Sequence, residues 1–402
     1  MRRRDTITAI GFLLLLAAGL GMLATSFFGG EGHLEHLLKT AWAERDLPAV
    51  LEGAESAANR DLDREHLFIQ LYGGVQRLAL RRVVEDPVEE NSVVKLSTGA
   101  LNFVTLTAVP WYSPETDANA AATADFAQAL QRLDIPYRYL AAPQKIRRDT
   151  DMLPTGVVEA GNRNASRFLE DLDRAGVAYT DLRPLFEENG VYEDWFFRTD
   201  HHWKPEAAFF AWQHLAGVLE EEYGLTTDTA LLEEDNWDRQ VLEDFFLGSQ
   251  GKRVGSLYAG VDDITLYTPK FDTELTYTCP FYAMERSGPF SESVCFPERV
   301  ARRDWFGENP YVYYAGGDYP LASIVNHKNP SGPRIVLLRD SFACALTPFL
   351  ALSCSELTTV DLRYFSGDLL ETIAGLEPDL VLTLYTAGTT SNPALFQFGS
   401  FS

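Results

Sequence analysis

The chain has 402 residues, 46% hydrophobic and 12% aromatic, with 34 Lys and Arg against 58 Asp and Glu for a net charge of -24. That composition belongs to a well-cored globular protein and excludes a disordered one. So acidic a surface repels a phosphate backbone, which argues against nucleic acid as a partner and against a strongly anionic polymer unless the site is locally basic.

In chain order, Arg2, Arg3 and Arg4 precede an uncharged apolar run over residues 7–28. About twenty such residues span a bilayer as a helix, and the arginines would keep the N-terminus inside. Residues 1–30 are therefore expected to form a retained single-pass anchor in the cell membrane, with the remainder extracytoplasmic. The alternative is a cleaved signal peptide, for which Met22-Leu23-Ala24 is a poor cleavage site. Residues 31–95 read as a helical stalk and lead-in, because Leu34, Leu37, Leu38, Ala41 and Trp42, then Leu67, Leu71, Val75 and Leu78, recur at helical spacing.

Residues 96–402 read as one domain in which strands and helices alternate. An amphipathic helix over 121–133 leads to a short strand over 135–140, and a helix over 162–175 leads to a strand over 177–182. The long helix over 205–223 has Pro205 at its first position and Gly224 just beyond its end, the usual asymmetry of helix termini. Residues 225–330, rich in Gly, Tyr and Asp, read as an irregular, partly β insertion. A buried strand over 334–338, a helix from Phe342, a strand over 357–362, a short helix over 369–375 and an apolar strand over 379–384 complete the chain. Strands separated by helices imply parallel crossovers, hence an α/β fold with a doubly wound parallel sheet. Cys279, Cys295, Cys344 and Cys354 form no Cys-x-x-Cys pair, so structural zinc is not expected. In an oxidising compartment Cys279 and Cys295 would be bridged, while Cys344 and Cys354 would sit in one helix as buried fillers.

Three features carry chemistry. The first is Arg198-Thr199-Asp200-His201-His202-Trp203, just before the long helix. In an extended segment residues i and i+2 face one side, so Asp200 could hold one ring nitrogen of His202 and leave the other as a general base. His201 would then point to the opposite side. Helix caps or surface histidines are the plainer reading, and a metal held by Asp200, His201, His202 and His214 is another, although no His-Glu-x-x-His spacing supports it. The second feature is Asp340-Ser341-Phe342, which follows a buried strand and opens a helix. The carboxyl ends of parallel strands border the active crevice, and free N–H groups at a helix start can stabilise an oxyanion; a simple helix cap is the alternative. The third is a set of polar residues at other strand ends, Arg363, Tyr385 and Lys145, each a candidate for substrate contact.

Thr199-Asp200-His201-His202-Trp203 resembles the D-x-H-W signature of the alginate O-acetyltransferase (AlgX/AlgJ-type) SGNH-like family, in its DHHW branch. Residues 338–342, continuing through Pro348-Phe349-Leu350 to residues 360–364, resemble that family's nucleophile block. Gly248-Ser249-Gln250-Gly251-Lys252-Arg253-Val254-Gly255 and Asp262-Asp263 resemble stretches common in the branch. The match runs over about residues 95–390, with Asp and His preceding Ser, the reverse of ordinary GDSL hydrolases. Two departures are Lys204, where a Ser or Thr cap is usual, and Arg339 in place of Gly before Asp340. The resemblance implies a permuted SGNH sheet, a triad of Ser341, His202 and Asp200, and O-acetylation of a cell-surface or exopolysaccharide hydroxyl. It also implies a membrane-bound O-acyltransferase partner that supplies the acetyl group; separately, no cofactor or metal is expected. An acetyl esterase and a non-catalytic polysaccharide-binding or assembly protein remain the alternatives.

Overall fold

The computed structural model describes residues 66–85, 92–104, 113–148 and 151–399, together with residues 10, 13, 17, 20, 21 and 36–39. Residues 1–74 and 75–402 are two compact units, and the candidate site residues all lie in the second. The apolar run over 7–28 falls almost wholly outside the described residues. No helix among those described is long and apolar enough to cross a membrane. A helix spans Leu67–Leu78, as its spacing predicts. Beyond it the lead-in is not helical: β1 (Val83–Val84) and β2 (Ser92–Lys95) pair antiparallel, and β2 pairs with β3 (Leu101–Val104). Val93 and Val94 are fully buried there, and adjacent β-branched side chains favour a strand buried on both faces.

The centre of the molecule is an eight-stranded sheet. Its parallel part contains β4 (Tyr137–Ala142) and β5 (Tyr179–Asp181). The intervening segment then provides a hairpin of β6 (Trp237–Phe246) and β7 (Asp262–Pro269), followed by β8 (Leu275–Cys279), β9 (Met284–Gly288) and β10 (Leu321–Asn326). Last come β11 (Arg334–Arg339), β12 (Glu356–Val360) and β13 (Leu380–Thr386). The order is β5-β4-β13-β11-β12-β10-β8-β9. The first five strands are mutually parallel, and β10, β8 and β9 continue the sheet antiparallel. The segment expected to be an irregular insertion thus supplies three strands to the main sheet.

The apolar run of β11 is continuous because both faces of the strand are covered. Ile335 and Leu337 enter one core, with Trp212 of helix Pro205–Tyr223 and Phe349 of helix Ala343–Ser353. Val336 and Leu338 enter the other, with Phe126 of helix Pro114–Gln131 and Phe168 of helix Gly161–Arg174. Helices on both faces confirm the doubly wound α/β arrangement. Gly224 ends the long helix at φ 67°, a left-handed conformation that favours glycine. All four cysteines are free and buried, which corrects the expected Cys279–Cys295 bridge. Cys279 closes β8 opposite Met284, whereas Cys295 is paired through its backbone with Tyr314.

Candidate active site

Asp200 and His202 do not lie in an extended segment. Phe196 and Trp203 bridge antiparallel, and the residues between them form a tight turn. The Asp200 carboxylate closes this turn: Oδ1 accepts the His202 backbone N–H at 3.1 Å and sits 2.5 Å from His202 Nδ1. Oδ2 accepts the Ser249 N–H at 2.6 Å. The two residues therefore share a side for a reason other than strand alternation. Burial alone would raise the Asp200 carboxyl, yet the His201 and His202 imidazoles and the Ser249 amide hold it well below the usual carboxylate range.

Distant residues brace the turn. Asp262 accepts the Arg198 N–H at 2.8 Å, the Thr199 N–H at 2.7 Å and the Thr199 hydroxyl at 2.6 Å. Gly248 and Gly251 donate their N–H groups back to Thr199, each at 2.8 Å. The approach at Gly248 is so close that a Cβ there would lie 2.2 Å from the Asp200 Cβ, which explains glycine at that position.

Ser341 follows β11 in a turn held by Asp340. Asp340 Oδ1 accepts the Phe342 N–H at 3.0 Å and Oδ2 the Thr386 N–H at 2.8 Å. Burial pushes the Asp340 carboxyl up to about 6, against the pull of those two amides. Helix Ala343–Ser353 begins beyond, with Phe342 at its N-cap and no side-chain cap, so neither Asp340 nor Ser341 is that helix's cap residue. Ser341 Oγ lies 2.8 Å from His202 Nε2. The His202 ring thus stands between Asp200 on one nitrogen and Ser341 on the other. Tyr311 stacks on that ring at 3.9 Å and 15°. The Tyr311 hydroxyl and the Trp203 indole N–H both donate to the Phe342 carbonyl, at 2.9 and 2.8 Å. The Ser341 backbone N–H has no partner among the described residues.

The other expected site residues are placed differently. Lys145 is buried and donates to the Leu101 carbonyl at 2.6 Å and to Gln250 Oε1 at 3.1 Å. Burial pulls its ammonium down to about 7, while Asp200 and Asp262 pull back. Arg363 is held by both oxygens of Asp361, at 2.9 and 2.6 Å, and by Asp318 at 3.0 Å. Tyr385 packs in the core on the sheet's other face and donates its hydroxyl to the Leu395 carbonyl at 2.7 Å. This corrects its expected substrate-facing position: strand alternation sends it away from the Asp200–His202 side.

His201 is also corrected. Its ring lies 3.8 Å from that of His202, centroid to centroid, and its Nδ1 is 3.1 Å from Ser249 Oγ. Asp200, His201 and His202 each offer a ligand atom within 4.8 Å of the others. A metal held by Asp200 Oδ1 or His202 Nδ1 would displace the contact between those two atoms, while Asp200 Oδ2 already accepts one hydrogen bond, from the Ser249 amide.

Sequence reasoning assigned no role to Ser249, Asp262, Tyr311 or Asp318. Gly248-Ser249 and Asp262 carried a signal as stretches resembling the family, whereas Tyr311 and Asp318 carried none. Asp318 pairs with Arg339 and Arg363, each at 3.0 Å, beneath the Ser341 turn.

With five parallel strands covered on both faces, the chain is a doubly wound α/β protein. Residues 107–249, which include Asp200 and His202, match the family described as SGNH hydrolase-like domain, acetyltransferase AlgX. In fold the chain is similar to Bacillus cereus PatB1, at 22% identity over 77% of this chain and 100% of that one, with a TM-score of 0.63. It is similar as well to PatB1 with a sulfonyl adduct, at 21% identity over 79% of this chain and 99% of that one, TM-score 0.63. A DHHW family protein from Eubacterium siraeum shares 18% identity over 80% of this chain and 98% of that one, TM-score 0.60. No curated protein matches the chain. Residues 107–249 thus carry a likeness to the AlgX-type acetyltransferase domain, in line with the Asp200-His201-His202-Trp203 resemblance.

Proposed function

We propose that this protein is a serine-dependent O-acetyltransferase that carries an acetyl group on Ser341 and passes it to a hydroxyl of a cell-surface polysaccharide. The observation that carries this reading is the continuous line from Asp200 through His202 to Ser341, with contacts of 2.5 and 2.8 Å. Ser341 Oγ attacks the acyl carbonyl of the donor while His202 Nε2 takes its proton, which then leaves with the donor's departing oxygen or sulfur. In the second half the acceptor oxygen bonds to the acyl carbon, its proton passes to His202, and Ser341 Oγ recovers a proton as its ester bond breaks. Asp200 orients the ring and stabilises the imidazolium. The unshared Ser341 N–H is a donor available to the oxyanion. The acetyl donor would be supplied by a membrane-bound O-acyltransferase beside a chain anchored through residues 7–28; the run of apolar residues behind three arginines supports that arrangement.

A serine-reactive fluorophosphonate tests the centre of the reading. Labelling of the wild type at Ser341, lost in Ser341→Ala, is expected. An unlabelled wild type, or equal labelling of the variant, removes Ser341 as nucleophile. Release of acetate compared with acetylation of an oligosaccharide then separates an esterase from a transferase.

A further inference from the structure

Beside Phe342 and Thr386 lies a crevice of about 480 Å³, and its wall includes Lys145, Gln250 and His201. Most polar groups on that wall are occupied by internal bonds. Lys145 donates to Leu101 O and Gln250 Oε1, and Gln250 Nε2 reaches Asn102 Oδ1 at 3.4 Å. His201 differs. Its Nδ1 is engaged with Ser249 Oγ at 3.1 Å, its Nε2 has no partner among the described residues, and its side chain is 40% exposed. The same ring lies 3.8 Å from His202, whose Nε2 contacts Ser341. One nitrogen of His201 is therefore tied to the scaffold that holds Asp200, while the other is open next to the base. Although one edge of the ring is open, the protein packed around the rest of it and the neighbouring His202 pull it below the usual histidine range, which keeps it neutral. A neutral imidazole nitrogen is a donor or an acceptor according to tautomer, and a hydroxyl can answer either. A phosphate or carboxylate could pair with only one of the two. The remaining wall mixes apolar residues with the amides and hydroxyls of Gln144, Asn164, Thr389 and Ser391 and one acid, Glu159, whose carboxyl burial raises, which suits an uncharged polyhydroxyl unit better than an anionic one.

We propose that His201 binds a hydroxyl of a neutral saccharide acceptor in this crevice and holds it for attack on the acyl-Ser341 ester, so that transfer outruns hydrolysis. This rests on Ser341 carrying the acyl group, as proposed above. The atoms balance as in that second half-reaction: the acceptor oxygen gains the acyl carbon, its proton goes to His202, and the Ser341 Oγ–C bond breaks with Oγ reprotonated. His201 itself gains and loses no proton.

The test acetylates the full chain with p-nitrophenyl acetate and offers xylohexaose, cellohexaose and chitohexaose, reading p-nitrophenol release, free acetate and acetylated sugar together. His201→Ala should slow acetylation of Ser341 by about threefold through lost packing on His202. It should lower the ratio of transfer to hydrolysis by about tenfold or more, the worth of one oriented hydrogen bond, with a raised KM for the sugar. His201→Gln, which keeps an amide on the same side, should restore part of that ratio. An unchanged ratio in His201→Ala overturns the inference, and so does a fall of acetylation and transfer in equal proportion, the mark of a merely structural histidine. Failure of the wild type to transfer to any of the three sugars overturns the neutral-saccharide assignment. Ser341→Ala separates the two levels: if it still becomes acetylated, the reading of the site falls. If it does not and the His201→Ala ratio is unchanged, only the role of His201 falls.

Discussion

The turn that carries Ser341 and the turn that carries Asp200 and His202 meet at a 2.8 Å contact, but different kinds of neighbour hold them. The serine turn is a continuation of the sheet. It leaves β11, its Asp340 accepts an amide from the end of β13 at 2.8 Å, and Phe342 leads straight into a buried helix. The histidine turn lies off the main sheet, and β3 reaches it with one backbone bond, from the Leu101 N–H to the Arg198 carbonyl at 2.7 Å. It is held by side chains and glycines of the segment over 225–330, with Ser249 and Asp262 bonding residues 49 and 63 or 64 positions away. One half of the site is therefore as rigid as the sheet, and the other rests mainly on a distant segment's grip. Mutations in that segment should reach the chemistry without touching substrate.

The largest effect expected lies at the junction itself. Ser341→Ala and His202→Ala should each remove nearly all activity toward an acetyl ester, about 10⁴-fold or more, and the double variant should be little worse than either. Asp200→Asn should cost somewhat less. Initial rates of the purified protein measure this, with circular dichroism confirming the fold of each variant. If His202→Ala keeps most of the activity, the two turns do not work as one unit.

Gly248→Ala tests whether the histidine turn depends on its brace. The new Cβ would lie 2.2 Å from the Asp200 Cβ and 2.6 Å from its Cα, so backbone rather than a flexible side chain must shift. A displacement of about 1 Å in a catalytic group costs roughly 100-fold in rate. We expect that loss in kcat, with the fluorophosphonate reaction of Ser341 slowed alongside it. Gly217→Ala, on the long helix with open space around its Cβ, is the matched control and should be silent or slightly stabilising. Equal activity of the two variants would show that Asp200 is held without the Gly248 approach.

The same contrast decides what could be read from sequence. β11, the helix over 205–223 and the alternation of strands and helices were legible because apolar spacing and terminal Pro and Gly are local signals. Asp200, His202 and Ser341 were legible as residue types in motifs. The grip of Ser249, Asp262 and Tyr311 was not, because nothing local at residues 198–203 points to partners so far along the chain. The direction of His201 was misread for a related reason. Alternation holds for a strand, whereas a turn closed by its own Asp200 carboxylate brings both rings to one side. Tyr385 shows the converse: it lies at the end of a true strand, and its register places it on the other core. Sheet membership of β8, β9 and β10 was hidden because antiparallel strands at a sheet edge carry a weaker, half-buried pattern.

The serine turn has its own liability, a buried acid. Asp340 is raised from 3.8 to about 6, so the folded state binds a proton between those values that the unfolded chain has released. The stability Asp340 contributes is complete below pH about 4 and is lost as the pH rises through about 6, a change of roughly 3 kcal/mol. Asp340→Asn should abolish that component. Urea unfolding at pH about 4 and about 7 measures it: the difference between wild type and variant should move against the wild type at the higher pH. A difference that does not change with pH would mean that Asp340 stays ionised throughout, and that the Thr386 and Phe342 amides outweigh its burial.

The smallest effect should come where the two halves share an acceptor. The Phe342 carbonyl, next to Ser341, receives the Trp203 indole N–H from the histidine turn at 2.8 Å and the Tyr311 hydroxyl from the distant segment at 2.9 Å. Tyr311→Phe keeps the ring that stacks on His202 and deletes only the second donor. The carbonyl stays hydrogen-bonded through Trp203, so no buried group is orphaned and the loss should be about 1 kcal/mol of stability with a few-fold fall in kcat. Tyr311→Ala removes the stacked face as well and frees His202 to rotate away from Ser341, so its rate should fall well below that of Tyr311→Phe. If both variants lose activity equally, the hydroxyl rather than the ring sets the position of His202. The histidine half would then be anchored to the serine turn, and the difference in rigidity between the two halves would disappear.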